Sequence, residues 1–490
     1  MTQTSLHPLN IAVFAVYLAL MVAMGLFFSR RNKSSDDYFR GGGKLPWWAV
    51  SLSLYATMFS SITFLSVPAK VFHSDMRYFS LSFGILLLAP VVVRWYLPFF
   101  RKLNLTSAYE YLEVRFNLPC RLFASAAFIM FMIARTAIVT YLPAIAISAV
   151  TGADVNLAIV AVTVVTIFYC AIGGVEAVVW SDFVQSLILI AGTVVMFIFM
   201  ILGTDGGISG FVEKGMAAGK FHTFDFIFDF KEPCFWVVLI GGIVGNLASY
   251  TSDQCVVQRY MTTRDVSGAA KSIYMNGALS FVNNIVFFLV GAALFTFVIS
   301  HPGFLPDTLK GDAILPYFIG FGLPPGISGL LLAAVAAATM STLSSNLNAA
   351  SSAFTTDFFK RLSPREVSDA SLLKCGKICT IVVGVLGGGF ALVLANMEIR
   401  TIFDQFQKFL GVLTGGLGCL FFMGIFMKRI NAVGATAGLI ANYLVCFALD
   451  FLPITFRPHI FLYGAFGMIV CLVVAPVVSF FIKEKNENKI

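Results

Sequence analysis

Residues 338–348, Ala338-Thr339-Met340-Ser341-Thr342-Leu343-Ser344-Ser345-Asn346-Leu347-Asn348, lie inside a run, 327–359, that is otherwise almost wholly apolar. At about 100° per residue, a helix puts Ser341, Ser344, Ser345 and Asn348 on one face, with Thr342 at its edge. A lone serine or threonine in such a run bonds back to the carbonyl four residues earlier or glues two helices together. A one-sided cluster brings hydroxyl and carbonyl oxygens to one level, which is the donor set that a small hard cation needs. The stretch therefore predicts an ion site inside a transporter. Two charged residues bear on the same question. Arg135 sits in the apolar run 122–150, where a cation costs at least about 2.5 kcal/mol. Few acids lie at comparable depth, which favours an anionic ligand over a structural ion pair. Asp182 is close to the start of its own run, and both helix capping and a functional role are open from the residues alone.

The elements that position these residues are membrane helices. The chain has 490 residues, 58% hydrophobic and only 12% charged, with 51 Phe, and its mean hydropathy is +0.87. Repeated apolar runs of more than about 18 residues with this composition indicate an all-α polytopic membrane protein embedded in a lipid bilayer. The net charge of +8 comes from short basic loops between the runs. Lipid topology accounts for these loops, so nucleic acid is not expected as a partner. Nine dispersed cysteines suggest packing rather than disulfides or zinc. An ATP-driven pump would need a phosphate-binding loop, and Gly41-Gly42-Gly43-Lys44 lacks its spacing. The five histidines, at loops or run ends, form no catalytic constellation, so an enzyme is not expected. A channel stays open as a reading from another functional class.

Thirteen spans are predicted, at 8–29, 47–71, 79–100, 122–150, 155–172, 177–202, 235–260, 272–299, 327–359, 375–394, 402–427, 432–451 and 460–482. The run 8–29 has no basic leader and no cleavage site, so it reads as a helix and not a signal peptide. With an odd number of spans the termini lie on opposite sides. Loops on the side of the C-terminal tail carry twenty-two Lys and Arg against eight on the other side. That bias puts the N-terminus outside and the C-terminus in the cytoplasm. The external segment 203–232 could form a lid or a tethered loop, and 101–120 fits a cytoplasmic interfacial helix. Asp404 and Lys408, one turn apart, are expected to pair with each other.

Two spans look interrupted. The first contains Ser51-Leu52-Ser53-Leu54-Tyr55-Ala56-Thr57-Met58-Phe59-Ser60-Ser61-Ile62-Thr63, and the span five later contains Gly241-Gly242-Ile243-Val244-Gly245-Asn246 and then Ser249 to Gln254. Broken helices five apart point to an inverted-repeat transporter whose unwound backbone lines the binding site. Gly173-Gly174-Val175-Glu176-Ala177-Val178-Val179-Trp180-Ser181-Asp182-Phe183-Val184-Gln185, together with Ser252-Asp253-Gln254-Cys255-Val256-Val257-Gln258-Arg259-Tyr260 and the Ser341 cluster, resembles the sodium:solute symporter family over nearly the whole chain. The short stretch 54–66 and Arg135 look most like its bacterial sialic acid transporters.

The resemblance implies the LeuT-like inverted-repeat (5+5) fold within one membrane transport domain: an extra helix 8–29, repeats 47–202 and 235–427, and two trailing helices 432–482. It implies uptake of an acidic sugar driven by sodium through alternating access across a bacterial-type inner membrane, with no obligate protein partner. It also assigns one sodium to the carbonyls of Ala56, Phe59 and Ala338 and the hydroxyls of Ser341 and Thr342. A second sodium would lie at Asp182, Ser341, Ser344 and Ser345. Arg135 would anchor the substrate carboxylate, with Ser60, Ser61, Thr63 and Thr57 supplying hydroxyls and Tyr78 and Ser82 near the sugar. Relatives are expected to carry an amide near the start of the second core helix, where this chain has Ser82. Sodium symport of a glucose-like, proline-like or vitamin-like solute is the alternative within the family.

Overall fold

The computed structural model describes residues 7–30, 34–103, 105–151, 153–306, 309, 311–397, 415–451 and 457–482. Among these, nine helices are long and apolar enough to cross a membrane, or eleven if each of two bent pairs counts as one span. In chain order the elements that matter here are α1 (Pro8–Ser29), the bent pair α2 (Trp47–Met58) and α3 (Ser61–His73), α4 (Arg77–Leu103), α5 (Leu118–Thr151) and α6 (Val155–Gly203). There follow α7 (Gly207–Ala217), the bent pair α8 (Phe235–Thr251) and α9 (Gln254–Thr262), α10 (Val266–Ser300), α11 (Ile327–Lys360) and α12 (Asp369–Ala395). Three more close the described chain: α13 (Gly415–Phe426), α14 (Ala432–Phe451) and α15 (Ile460–Phe481). The span expected at 402–427 is described only over α13, and the Asp404–Lys408 pair lies outside the described residues.

At 49 residues α6 is roughly 73 Å long by helical rise, far beyond the ~30 Å of a hydrocarbon core. It breaks at Gly174, whose φ of 59° and ψ of −167° suit only a residue without Cβ. The break falls between the two runs, 155–172 and 177–202, that hydropathy separates. Both expected interruptions exist, and of the two stretches named for the second, the break falls in Ser249 to Gln254. The first pair bends by 55° at Phe59 and Ser60, and the second by 52° at Ser252 and Asp253. Gly241 to Asn246, read from sequence as part of a break, is continuous helix. Its glycines serve packing: a Cβ on Gly242 would fall 2.9 Å from the Leu81 carbonyl, and one on Gly84 2.6 Å from the Gly242 carbonyl. α8 and α4 thus meet backbone to backbone.

The centre of the protein is α11, which packs on α6, α5, α1 and α12 and is buried almost throughout. Its polar side chains therefore face other helices and not lipid. The segment 203–232 holds α7 and is tied to α3, because Lys220 Nζ donates to the carbonyls of Phe72 (2.6 Å) and Ser74 (2.8 Å) and so caps the end of that helix.

At the opposite end the short helix Glu110–Arg115 and the residues before it clasp α9 and the end of α11. Tyr109 donates to the Ser252 carbonyl (2.9 Å), and Gln254 accepts from the Ala108 N–H (2.8 Å) while donating to the Thr106 carbonyl (2.7 Å). Asp357 accepts from Ser107 (2.7 Å), Ser125 (2.8 Å) and Arg121 (2.8 Å), and Glu113 bridges Arg121 (2.7 Å) and Arg361 (2.6 Å). Burial raises the Glu113 pKa, but the two guanidiniums outweigh it and leave the carboxyl below its ordinary value. A depressed carboxylate contributes stability above the unfolded value, about 4.3, and loses it as pH falls through the lower folded value. The gap in thermal midpoint between wild type and Glu113→Gln should therefore stay flat from about pH 8 to 5 and narrow only below that. A gap that closes between about pH 7 and 6 would show that the clasp owes its charge balance to another group.

Candidate substrate and sodium sites

The break between α2 and α3 separates two electrostatic ends. The last carbonyls of α2 carry the negative end of a helix dipole, and the first N–H groups of α3, with no side-chain cap from Ser60, carry a positive one. Cation chemistry belongs at the first end and anion chemistry at the second.

The carbonyl end meets the hydroxyl face of α11. Ser341 Oγ lies 3.0 Å from the Ala56 carbonyl and 3.3 Å from that of Ala338, and Thr342 Oγ1 is 3.2 Å from the Ala338 carbonyl. All four residues are fully buried, and Phe59 is 4% exposed. Four of the five expected ligand residues thus form one tight group, and Phe59 stands at the break itself. Their oxygens are neutral, which suits sodium better than a divalent ion that would call for carboxylates. Each hydroxyl can turn its proton away and offer a lone pair, so the donor set fits a small monovalent cation. Replacing Ser341 and Thr342 together with alanine removes two of these oxygens. At about 1.5 to 3 kcal/mol for each bond to a charged group, the sodium concentration for half-maximal transport should rise at least tenfold. Unchanged sodium dependence would remove the site.

Deeper along α11, Ser344 and Ser345 donate to the Ser341 carbonyl (3.0 and 2.8 Å). Asp182 reaches this layer from α6 and is neither an N-cap nor alone. Its Oδ2 accepts from Ser53 (2.6 Å) and from Arg259 (2.9 Å), whereas its Oδ1 is buried with no hydrogen-bond partner. Arg259 also donates to Ser345 Oγ and to Ser53 Oγ. An unpartnered oxygen on a carboxylate that is bonded to Ser53 and linked through Arg259 to Ser345 fits a cation, although the guanidinium already balances the charge. The charge count on the side of the C-terminal tail takes Arg259 as a loop cation, whereas the fold buries it against Asp182. Asn348, on the same face, is engaged by Gln258 (2.8 Å).

Above the break is a cavity of about 220 Å³. Arg135 lines it, as do Thr63, Tyr78 and Ser82. Ser60, Ser61 and Thr57 are not among the lining residues. Ser61 donates instead to the Val139 carbonyl (3.1 Å), and Thr57 Oγ1 lies 2.7 Å from the Ser53 carbonyl of its own helix and 2.9 Å from Ser345 Oγ in the hydroxyl layer. The direction of these side chains depends on α5 and α11, which local sequence does not reveal.

Arg135 does have an acidic neighbour, contrary to the expectation from span depth. Its Nη1 is 3.5 Å from Asp253 Oδ2 and its Nη2 donates to the Thr57 carbonyl (3.2 Å), leaving Nε without a partner. Asp253 meanwhile caps α9 through its other oxygen, accepting from the Cys255 N–H (2.8 Å). One guanidinium therefore spans both helix breaks while still facing the cavity. Sequence reasoning also missed Lys70, Asn246, Ser280 and Asn284 as lining residues. Two amides, Asn246 and Asn284, thus line the cavity from α8 and α10, while the start of α4 presents Ser82. Asn246 lay within the quoted glycine motif, whereas nothing local marks Asn284.

Comparison with known proteins agrees with this geometry. The model of the sodium:solute symporter family matches residues 38–442. The chain is 38% identical to the sodium/sialic acid symporter SiaT of Proteus mirabilis, over 96% of this chain and 95% of that protein. It is 36% identical to the sodium/sialic acid symporter NanT of Aliivibrio fischeri, over 97% and 93%. A solved substrate-bound, outward-open Na+-coupled sialic acid symporter superposes with a TM-score of 0.91 at 37% identity, covering 97% of this chain and 98% of that one. The fold is the LeuT-like inverted-repeat one that the broken helices suggest. From its motifs, its paired helix breaks and these likenesses, the chain belongs to the sodium:solute symporter family.

Proposed function

We propose that the protein is a secondary active transporter that carries sialic acid, N-acetylneuraminate, into the cytoplasm with sodium by alternating access. The observation that carries this reading is Arg135, a cation facing a cavity between two helix breaks, with a cluster of neutral oxygens at the other side of the first break. The guanidinium pairs with the carboxylate of the sugar, while Thr63, Tyr78, Ser82, Asn246 and Asn284 face its hydroxyl and amide groups. Sodium at Ala56, Phe59, Ala338, Ser341 and Thr342 joins α2 to α11 and so fixes the break that shapes the cavity. The clasp of Tyr109, Gln254 and Asp357 closes the cytoplasmic side in the same state.

Residues 47–202 and 235–427 form the two inverted repeats in this reading, preceded by 8–29 and followed by 432–482. The protein is multi-pass in a bacterial-type inner membrane, with its N-terminus outside. A cytoplasm-active reporter fused to the C-terminus should be active. A second sodium at Asp182, Ser341, Ser344 and Ser345 makes two cations per monoanion. Each cycle then moves one net charge and gains about 2.3 kcal/mol per 100 mV of membrane potential.

The test is uptake of radiolabelled N-acetylneuraminate into proteoliposomes under an inward sodium gradient, competed with sugars, amino acids and vitamins. Accumulation should saturate, require sodium and resist the neutral solutes. Passive, sodium-independent equilibration would indicate a channel. Stronger competition by glucose or proline would move the protein to another substrate class, and electroneutral uptake would remove the second sodium.

A further inference from the structure

A second cavity, of about 600 Å³, lies away from the substrate path. It is walled by α5, by the end of α11 and by α12, and its lining is apolar except at one end. Along α12 the lining residues Lys374, Ile378, Val382 and Leu386 repeat every four positions, which places them on one helical face. Ile378, Val382 and Leu386 are 50%, 49% and 45% exposed, so this face looks out of the protein. In a membrane-spanning helix, that outlook is onto lipid. From Lys374 to Leu386 the stripe covers roughly 18 Å by helical rise, more than half of the ~30 Å hydrocarbon core. It ends in a cation where α12 begins, beside Ser371. Lys360, also exposed, follows the lining residue Phe359 at the end of α11.

We infer that this groove is a binding site for one anionic glycerophospholipid, with an acyl chain along Ile378, Val382 and Leu386 and the phosphate on Lys374. The charge complementarity selects the headgroup. A neutral chain binder would leave Lys374 and Lys360 unmatched, whereas an anionic leaflet attracts each such residue. The nearby acid Asp369 is engaged by the Ser35 N–H and hydroxyl, and Arg361 by Glu113, so Lys374 is the cation aligned with the apolar stripe. The lipid would touch α5, which carries Arg135, and α11, which carries the hydroxyl cluster.

Native mass spectrometry of the purified full-length protein, titrated with phosphatidylglycerol or phosphatidylcholine, tests the site. Wild type should retain one phosphatidylglycerol at least tenfold more tightly than phosphatidylcholine. Lys374→Ala should abolish that preference, and Lys271→Ala, an exposed lysine on α10, should keep it. Val382→Trp, at a half-exposed position, should exclude both lipids by filling the groove. Equal affinity for the two lipids in wild type, or a preference that survives Lys374→Ala, would overturn the inference. So would competition by soluble glycerol phosphate at the same concentration, since the acyl seat would then contribute nothing. Dimers without bound lipid that dissociate on Val382→Trp would instead assign the groove to a second copy of the chain.

Discussion

Arg135→Lys should weaken N-acetylneuraminate binding at least tenfold while sodium binding persists. A planar guanidinium holds a carboxylate by two parallel hydrogen bonds, and an ammonium cannot reproduce that fork. One charge-assisted bond is worth about 1.5 to 3 kcal/mol, and tenfold corresponds to about 1.4 kcal/mol. The lysine variant is the informative one, because Arg135 also sits 3.5 Å from Asp253, and each of the two residues is only 6% exposed. Arg135→Ala strands that acid, and removing one partner of a buried pair costs about 3 to 5 kcal/mol. The alanine variant should therefore unfold more readily, and its loss of transport would not separate binding from stability. Combining Arg135→Ala with Asp253→Asn relieves the stranded charge. The double variant should regain thermal stability and still fail to bind the acidic sugar. Near wild-type affinity in Arg135→Lys and in the double variant would place the carboxylate elsewhere and leave Arg135 as a tie between the two helix breaks.

The second large effect concerns Asp182 and Arg259, which are 0% and 1% exposed. Asp182→Asn alone leaves the Arg259 guanidinium uncompensated in the core, with an expected loss of about 3 to 5 kcal/mol. Its effect on coupling would be hard to tell from destabilisation. Asp182→Asn with Arg259→Gln removes both charges and keeps groups that can hydrogen-bond to Ser53 and Ser345. That double variant should recover most of the thermal midpoint. If Asp182 holds a sodium, the double variant should also transport with one sodium per monoanion, and the current in voltage-clamped proteoliposomes should vanish while uptake continues. A double variant that remains electrogenic would return Asp182 to a purely structural pair with Arg259.

The proposed alternating access rests on where the ties lie. The oxygens proposed for sodium join α2 to α11, Arg135 joins the carbonyl end of α2 to the cap of α9, and the clasp of Tyr109, Gln254 and Asp357 joins α9 to the end of α11. In the proposed cycle, ligand and ion thus act on the same two broken helices. A ligand shifts such an equilibrium only by its differential affinity for the two states, and these ties are where that difference can arise.

Hydropathy alone determined that the chain is a bundle of membrane helices, because each span must satisfy its own backbone whatever its neighbours are. The first helix break, the hydroxyl face of α11 and the need of Arg135 for a partner were legible for the same local reason: helical periodicity and the cost of polar groups in lipid act within one segment. The tertiary structure alone decided which partners meet. Asp253 lies 118 positions from Arg135 and Arg259 lies 77 from Asp182, and spacing within a helix says nothing about which other helix it faces. The glycines of α8 were misread as a break because a glycine that permits close packing and one that permits unwinding look alike until the opposing backbone, here Leu81 and Gly84, is in place. Ser61 and Thr57 turned from the cavity because carbonyls and hydroxyls on α5, α11 and α2 itself lie within reach, and the amides of Asn246 and Asn284 lined it because α8 and α10 cross there. Segment chemistry is a property of the sequence, whereas the convergence of distant oxygens and charges depends on helix packing, which only the folded chain fixes.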